Sequence, residues 1–292
     1  MRQHTIANPI SAEGIGVHSG KKVTIKLLPA EENIGIIFRR TDLDYQKDIP
    51  AKVHFVTNTL MATTLGVAPH KITMTEHLLS ACSGLHIDNL IVEVDSGEMP
   101  IFDGSSASYA HLILEAGIQE QTANRMFLKV LKPVHVRDGN ARISILPSNK
   151  LEIEFTLTTS HPAFENNHYY TSCCEDYINT IAPARTFGFT SDLAKLLDLG
   201  LAKGASEENC IPLDDYRTLT AKRFENEMIR HKVLDVLGDF YLLGYPIIAK
   251  ISCVNSGHKT NNMVLKELLN ERFFDILIPN KNFTKKSAIY ST

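Results

Sequence analysis

Glu76-His77-Leu78-Leu79-Ser80-Ala81-Cys82-Ser83-Gly84 and Arg230-His231-Lys232-Val233-Leu234-Asp235-Val236-Leu237-Gly238 read as two versions of one plan. Each begins with a His at the head of a helical stretch, carries a Gly seven residues later, and precedes an apolar strand. Two α+β halves of like topology would bring both His-bearing helices to a shared interface, where ligand sites commonly form. Chance likeness between two short segments is the competing explanation, and the rest of the chain has to decide between them.

Outward from the first segment, Lys22–Leu27 alternates polar and apolar residues as a half-buried strand does. Gly14–Gly20 reads as a turn before it, with further strands at 34–39, 51–56 and 89–94. Thr75 is placed to cap a helix over 76–83 that Gly84 stops. Asp103–Ser106 is a turn and cap for a second helix over 107–116. Apolar residues thin out over Gln119–Asn124, which predicts a linker dividing domains 1–124 and 125–292. The second half repeats the scheme. Strands are expected at 126–131, 141–147 and 151–158, a short helix over 191–197 ended by Gly200, and a long helix from about Phe224 to Leu243. A strand over 247–254 and helix over 264–270 follow, with a frayed tail carrying Lys281, Lys285 and Lys286.

Composition narrows the function. The 292 residues are 43% hydrophobic and 22% charged, as in ordinary globular chains. Thirty Lys and Arg against 33 Asp and Glu leave a net charge of −3, with no basic excess for nucleic acid. No stretch approaches the roughly 18 apolar residues of a membrane span, and the N-terminus lacks the apolar core of a signal peptide. Five cysteines without CxxC spacing fit a reducing, cytoplasmic compartment and point any metal toward His and carboxylate ligands. There is no Walker motif, no GxSxG elbow and no Rossmann fingerprint.

The chemistry concentrates in His231-Lys-Val-Leu-Asp235-Val-Leu-Gly-Asp239. Residues four apart share a helix face, so His231 and Asp235 can grip one cation, with Asp239 one turn on. An imidazole beside a carboxylate suits zinc better than magnesium or calcium. The plain alternative is a solvated helix face with a stray His. His77 is the natural third ligand from the matching helix, and Glu76 beside it can take a proton from metal-activated water. Glu76 equally suits the first turn of any helix, whose dipole favours a carboxylate. His258, in Ser256-Gly257-His258 after a strand, can swing into a cleft and be held protonated by a carboxylate such as Asp239. In Arg185-Thr186-Phe187-Gly188-Phe189, Thr186 offers a hydroxyl to an oxyanion, while Phe187 and Phe189 can stack on a base or line an apolar channel. A buried turn would explain that stretch as well.

Taken in order, Gly14–Gly20, Thr75–Ala81, Ile87–Asn89, Phe102–Ser105, Ala184–Phe189, Gly200–Gly204, Asp214–Arg217, Arg230–Asp235 and Ser256–His258 resemble the zinc-dependent UDP-3-O-acyl-N-acetylglucosamine deacetylases of lipid A biosynthesis. The resemblance implies an α+β fold of two similar domains, each a β-sheet with two helices, the helices sandwiched between the two sheets. It implies that His77, His231 and Asp235 hold zinc, that Glu76 is the general base, and that His258 is the electrostatic stabiliser and acid oriented by Asp239. Thr186 then donates to the oxyanion. Lys232, Phe187, Phe189, Leu193 and Ser206 contact substrate. An insert at about 186–215 forms the acyl passage, with Leu193, Leu196, Leu197, Leu199 and Leu201 as apolar surface or as ordinary core. Iron(II) would suit the same ligands.

Two departures stand out: Ala62 where many members carry Cys, and Asn255 where many carry a Lys facing the substrate diphosphate. The second leaves Lys232 as the phosphate contact. The partners implied are the acylated UDP-sugar and water, without nucleic acid, with passing contact at the inner membrane surface and a monomer as the simplest state. Another acetylated amino sugar as substrate, or a nucleotide-sugar sensor with a structural metal, are the rival readings. The sensor is disfavoured because a closed structural zinc site needs a fourth protein ligand.

Overall fold

A computed structural model describes residues 1–164, 167–172 and 176–279. Cys173, Cys174 and the tail with Lys281, Lys285 and Lys286 lie outside the described residues. The repeat seen in the two helical segments extends to whole sheets. In the first half, five strands run in the order Ile10–Ile15, Lys22–Pro29, Leu90–Val94, Ile36–Arg40 and Asp48–Pro50. In the second, the order is Val134–Asp138, Ala141–Leu146, Lys250–Val254, Glu152–Thr156 and His168–Ser172. The central strand of each is antiparallel to one neighbour and parallel to the other. Val92 pairs with Leu27 and Phe38, and Ile251 pairs with Ile145 and Ile153.

Alternation explains which face is buried. Along Lys22–Pro29, Val23, Ile25 and Leu27 are buried while Lys22, Thr24 and Lys26 are exposed. Six helices complete the described residues: α1 (Glu76–Gly84), α2 (Ala107–Ala116), α3 (Tyr177–Thr180), α4 (Leu193–Asp198), α5 (Glu227–Tyr241) and α6 (His258–Glu271). α2 packs on the Ile10–Ile15 strand, α6 on Val134–Asp138 and Ala141–Leu146, and α1 against α5. The helices therefore form a layer between the sheets, in a two-part α+β fold. The α1–α5 crossing is close enough to require Gly238, where a Cβ would stand 2.1 Å from the Glu76 carbonyl oxygen.

Several local expectations are corrected. Gln119–Asn124 is not a linker but part of strand Ile118–Asn124, antiparallel to Arg2–Ile6. A two-stranded ribbon keeps one face in water, so a polar strand loses little there. The strand expected over 51–56 is a 3-10 turn, Val53–Phe55, followed by strand Val56–Asn58. Its backbone docks elsewhere, Val53 N donating to Leu242 O at 3.0 Å. The strand expected over 247–254 is split at Ala249: Ile247–Ile248 joins Phe127–Val130, and Lys250–Val254 enters the main sheet. Thr75 does not cap α1; its hydroxyl donates instead to Thr63 O at 3.3 Å. α1 does end at Gly84, as its last residue rather than the one after it, in a place where a Cβ would meet the Tyr177 ring at 2.3 Å. The leucines of the insert are not core: Leu193, Leu197 and Leu199 are exposed.

Candidate active site

The close packing of α1 on α5 sets one His-bearing helix against the other. The imidazoles of His77 and His231 meet edge to face, with ring centroids 5.1 Å apart. With Asp235, one turn along α5, their ligand atoms all lie within 4.8 Å of one another, and all three residues are buried. His231 Nδ1 donates to the Ala184 carbonyl at 3.0 Å, which turns its Nε2 toward Asp235 Oδ1, 3.4 Å away. Burial depresses both histidines, His77 to about 3, with His231 adding to the effect at His77 and Lys232 at His231. Both are therefore neutral and keep a lone pair for a cation. Burial opposes charge on Asp235, yet Lys232 and His258 hold it below the ordinary carboxylate range. Two neutral imidazoles and one carboxylate, converging in a buried pocket, fit a divalent zinc-type ion and leave a coordination position open.

Beside this triad stand two further titratable groups. Glu76, at the first position of α1, is pushed up to about 7, mainly by burial, with Asp239 and Asp235 adding to it and His258 opposing. His258 is not on a free loop as expected. It begins α6, after Gly257 in extended conformation, and this anchors its ring. Its Nδ1 donates to Asp239 Oδ2 at 2.8 Å, and its Nε2 lies 3.6 Å from Glu76 Oε1. Burial would lower His258, but Asp239 and Glu76 outweigh it and raise the imidazole to about 10, so it is a cation at neutral pH.

These groups line a cavity of about 470 Å³, together with Thr186, Phe187, Phe189 and Lys232. Thr186 is held by its backbone, donating to Gly104 O at 2.8 Å and accepting from Ile211 N at 2.8 Å. Phe187–Phe189 forms a short parallel pair with Ile211–Leu213, and α4 lies between them in sequence. Lys232 Nζ donates to Asp235 Oδ2 at 2.7 Å and lies 5.7 Å from the centre of the Phe187 ring. Of the remaining expected contacts, Leu193 and Ser206 are exposed and take no part in the cavity wall, where Asp192 and Leu196 stand instead.

Two buried residues escaped the sequence reading. Thr63 bonds to both Glu76 and Asp239. Glu227, one turn before His231 on α5, accepts from Arg185 N at 3.0 Å and Arg185 Nε at 2.9 Å, and so fixes the peptide whose carbonyl orients His231. The (i, i+4) spacing of Glu227 and His231 was the available signal; Thr63 had none.

The chain is similar to known proteins over most of its length. A family model described as UDP-3-O-acyl N-acetylglycosamine deacetylase matches residues 3–270. Curated relatives from Legionella pneumophila, strains Corby, Lens and Paris, carry the name UDP-3-O-acyl-N-acetylglucosamine deacetylase. Each is 43% identical over 274 residues, covering 92% of this chain and 90% of the relative.

Proposed function

The chain belongs to the UDP-3-O-acyl N-acetylglycosamine deacetylase family, and from that premise we propose that it hydrolyses the acetamide of UDP-3-O-acyl-N-acetylglucosamine in lipid A biosynthesis. The observation that carries the reading is the convergence of His77, His231 and Asp235 on one point, with Glu76 and His258 at its edge. Zinc is the proposed ion, with iron(II) accommodated by the same ligands. When bound, such a metal polarises a carbonyl and lowers the pKa of water to about 7.

The rest is the work of the chain's own side chains. Glu76 takes a proton from the attacking water, a task suited to a carboxyl pushed up to about 7 by burial. The water oxygen bonds to the acetamide carbon, and the carbonyl pair becomes an oxyanion. Cationic His258 and the Thr186 hydroxyl face that charge. As the C–N bond breaks, a proton from His258 passes to the departing glucosamine nitrogen, giving acetate and a free amine. Asp239 accepts from Nδ1–H and so orients the imidazolium with its Nε2–H toward the cavity. Lys232 serves the diphosphate, Phe187 and Phe189 the apolar or aromatic parts of the substrate, and Leu193 and Ser206 the outer course of the acyl chain.

The same reading takes residues 1–124 and 125–292 as the two domains. It also puts the protein in the cytoplasm as a monomer that meets its acylated substrate at the inner membrane surface. No helix among the described residues is long and apolar enough to cross a membrane. The deciding experiment is metal-dependent release of acetate from the acylated UDP-sugar. Release that survives complete metal removal, or no release from the metal-loaded protein, overturns the reading.

A further inference from the structure

Thr63 sits between strands Val56–Asn58 and Thr64–Val67, almost fully buried. Its two donors reach to different halves of the molecule. The backbone amide donates to Glu76 Oε2 at 3.1 Å, on α1. The hydroxyl donates to Asp239 Oδ1 at 2.6 Å, on α5, and stands 3.3 Å from His258 Nδ1. A hydroxyl has one proton, and the ionised carboxylate can only accept, so the proton goes to Asp239. Asp239 Oδ2 accepts from His258 Nδ1 and from Asn261 Nδ2, both at 2.8 Å. With Thr63, each oxygen of this buried carboxylate has a donor.

We propose that Thr63 is a positioning residue that sets the Glu76 carboxylate and the Asp239–His258 pair in one fixed relation. With Oε2 held by the Thr63 amide, Glu76 turns Oε1 toward His258 Nε2, 3.6 Å away. That gap is too long for a hydrogen bond. Neither group locks the other, and both face the same small volume, where one proton is taken and another delivered. Thr63 is itself held by the residue before α1, since its carbonyl accepts from the Thr75 hydroxyl at 3.3 Å. The inference rests on the roles given above to Glu76 and His258.

Thr63→Val tests it, because valine keeps the shape and the amide bond but deletes the hydroxyl donor. Thr63→Ser restores the donor, and Thr63→Ala makes the same deletion should the valine variant prove unfolded. Losing one hydrogen bond to a charged group predicts about a tenfold fall in kcat. KM and bound zinc should stay at wild-type values. In zinc-loaded protein without substrate, the 15N resonance of His258 Nδ1 should move in the valine variant and return in the serine variant. A wild-type kcat and an unmoved His258 resonance in Thr63→Val would overturn the inference, as would Thr63→Ser behaving like Thr63→Val. If the wild-type protein releases no acetate, the functional reading fails by itself, and the resonance comparison still decides the role of Thr63.

Discussion

Gly238→Ala is the substitution that most directly probes the joint between the halves. In an exposed helix, Ala in place of Gly stabilises by about 1 kcal/mol. At this crossing the sign should reverse. The added Cβ would stand 2.1 Å from the Glu76 carbonyl oxygen, 2.8 Å from its carbon and 2.9 Å from its Cα. Real Cβ atoms essentially never come within 3.0 Å, so α1 must retreat from α5 by about 0.9 Å. The obstacle is backbone and cannot rotate away. Overpacking of this kind costs about 1–3 kcal/mol. The same retreat carries Glu76 and His77 away from His231 and Asp235, and a misplacement of about 1 Å at a reacting centre costs on the order of 100-fold in rate. The expected result is a melting temperature lower by several degrees, weaker zinc retention and a kcat/KM about 100-fold down. Calorimetry, elemental analysis and acetate release measure the three. A variant as stable and as active as wild type would show that the helices do not meet at Gly238, and the geometry of the metal triad would fall with it.

Glu76→Gln should keep its zinc and lose about 10²- to 10⁴-fold in turnover, the usual worth of a positioned base; turnover at the normal rate would remove Glu76 from that role. His77→Ala and Asp235→Ala should each lose zinc, and a full complement by elemental analysis in either would take that residue out of the ligand set. The pH profile of kcat/KM should be bell-shaped. Activity rises as Glu76 loses its proton, at about 7 or lower once a divalent cation favours the carboxylate, and falls as His258 gives up its proton toward about 10. A descending limb unchanged in His258→Gln would reassign the acid. Away from the site, burial holds His86 down to about 3, with Arg125 adding to the effect. His86 is then neutral when folded but takes up a proton below its ordinary value when unfolded, so stability should drop as pH falls from about 6.5 toward 3. Urea midpoints across that range should slope less steeply for His86→Gln, and an identical slope would discount the effect.

Much of this was legible in the sequence because it is periodic or local. The (i, i+4) spacing of His231 and Asp235 by itself puts both on one face of α5, and the alternation of Lys22–Leu27 marks the buried side of its strand. The likeness of the two His-bearing segments anticipated paired sheets, since a repeated strand–helix order buries its apolar faces in the same way twice. What stayed hidden depends on pairs of residues far apart in the chain. Gln121 and its polar neighbours read as a linker because a strand with a solvated face has no apolar signature of its own. His258 read as a loop residue because Gly257 before it hides the start of α6. Thr63 carries no motif at all, and its importance comes from standing between Glu76 and Asp239, which only the packing of α1 on α5 brings together. Residue types and spacings thus determined which groups could do chemistry and on which helix face each would lie. The tertiary fold alone decided that they converge, because two helices approach closely enough only where Gly238 leaves room for the neighbouring backbone.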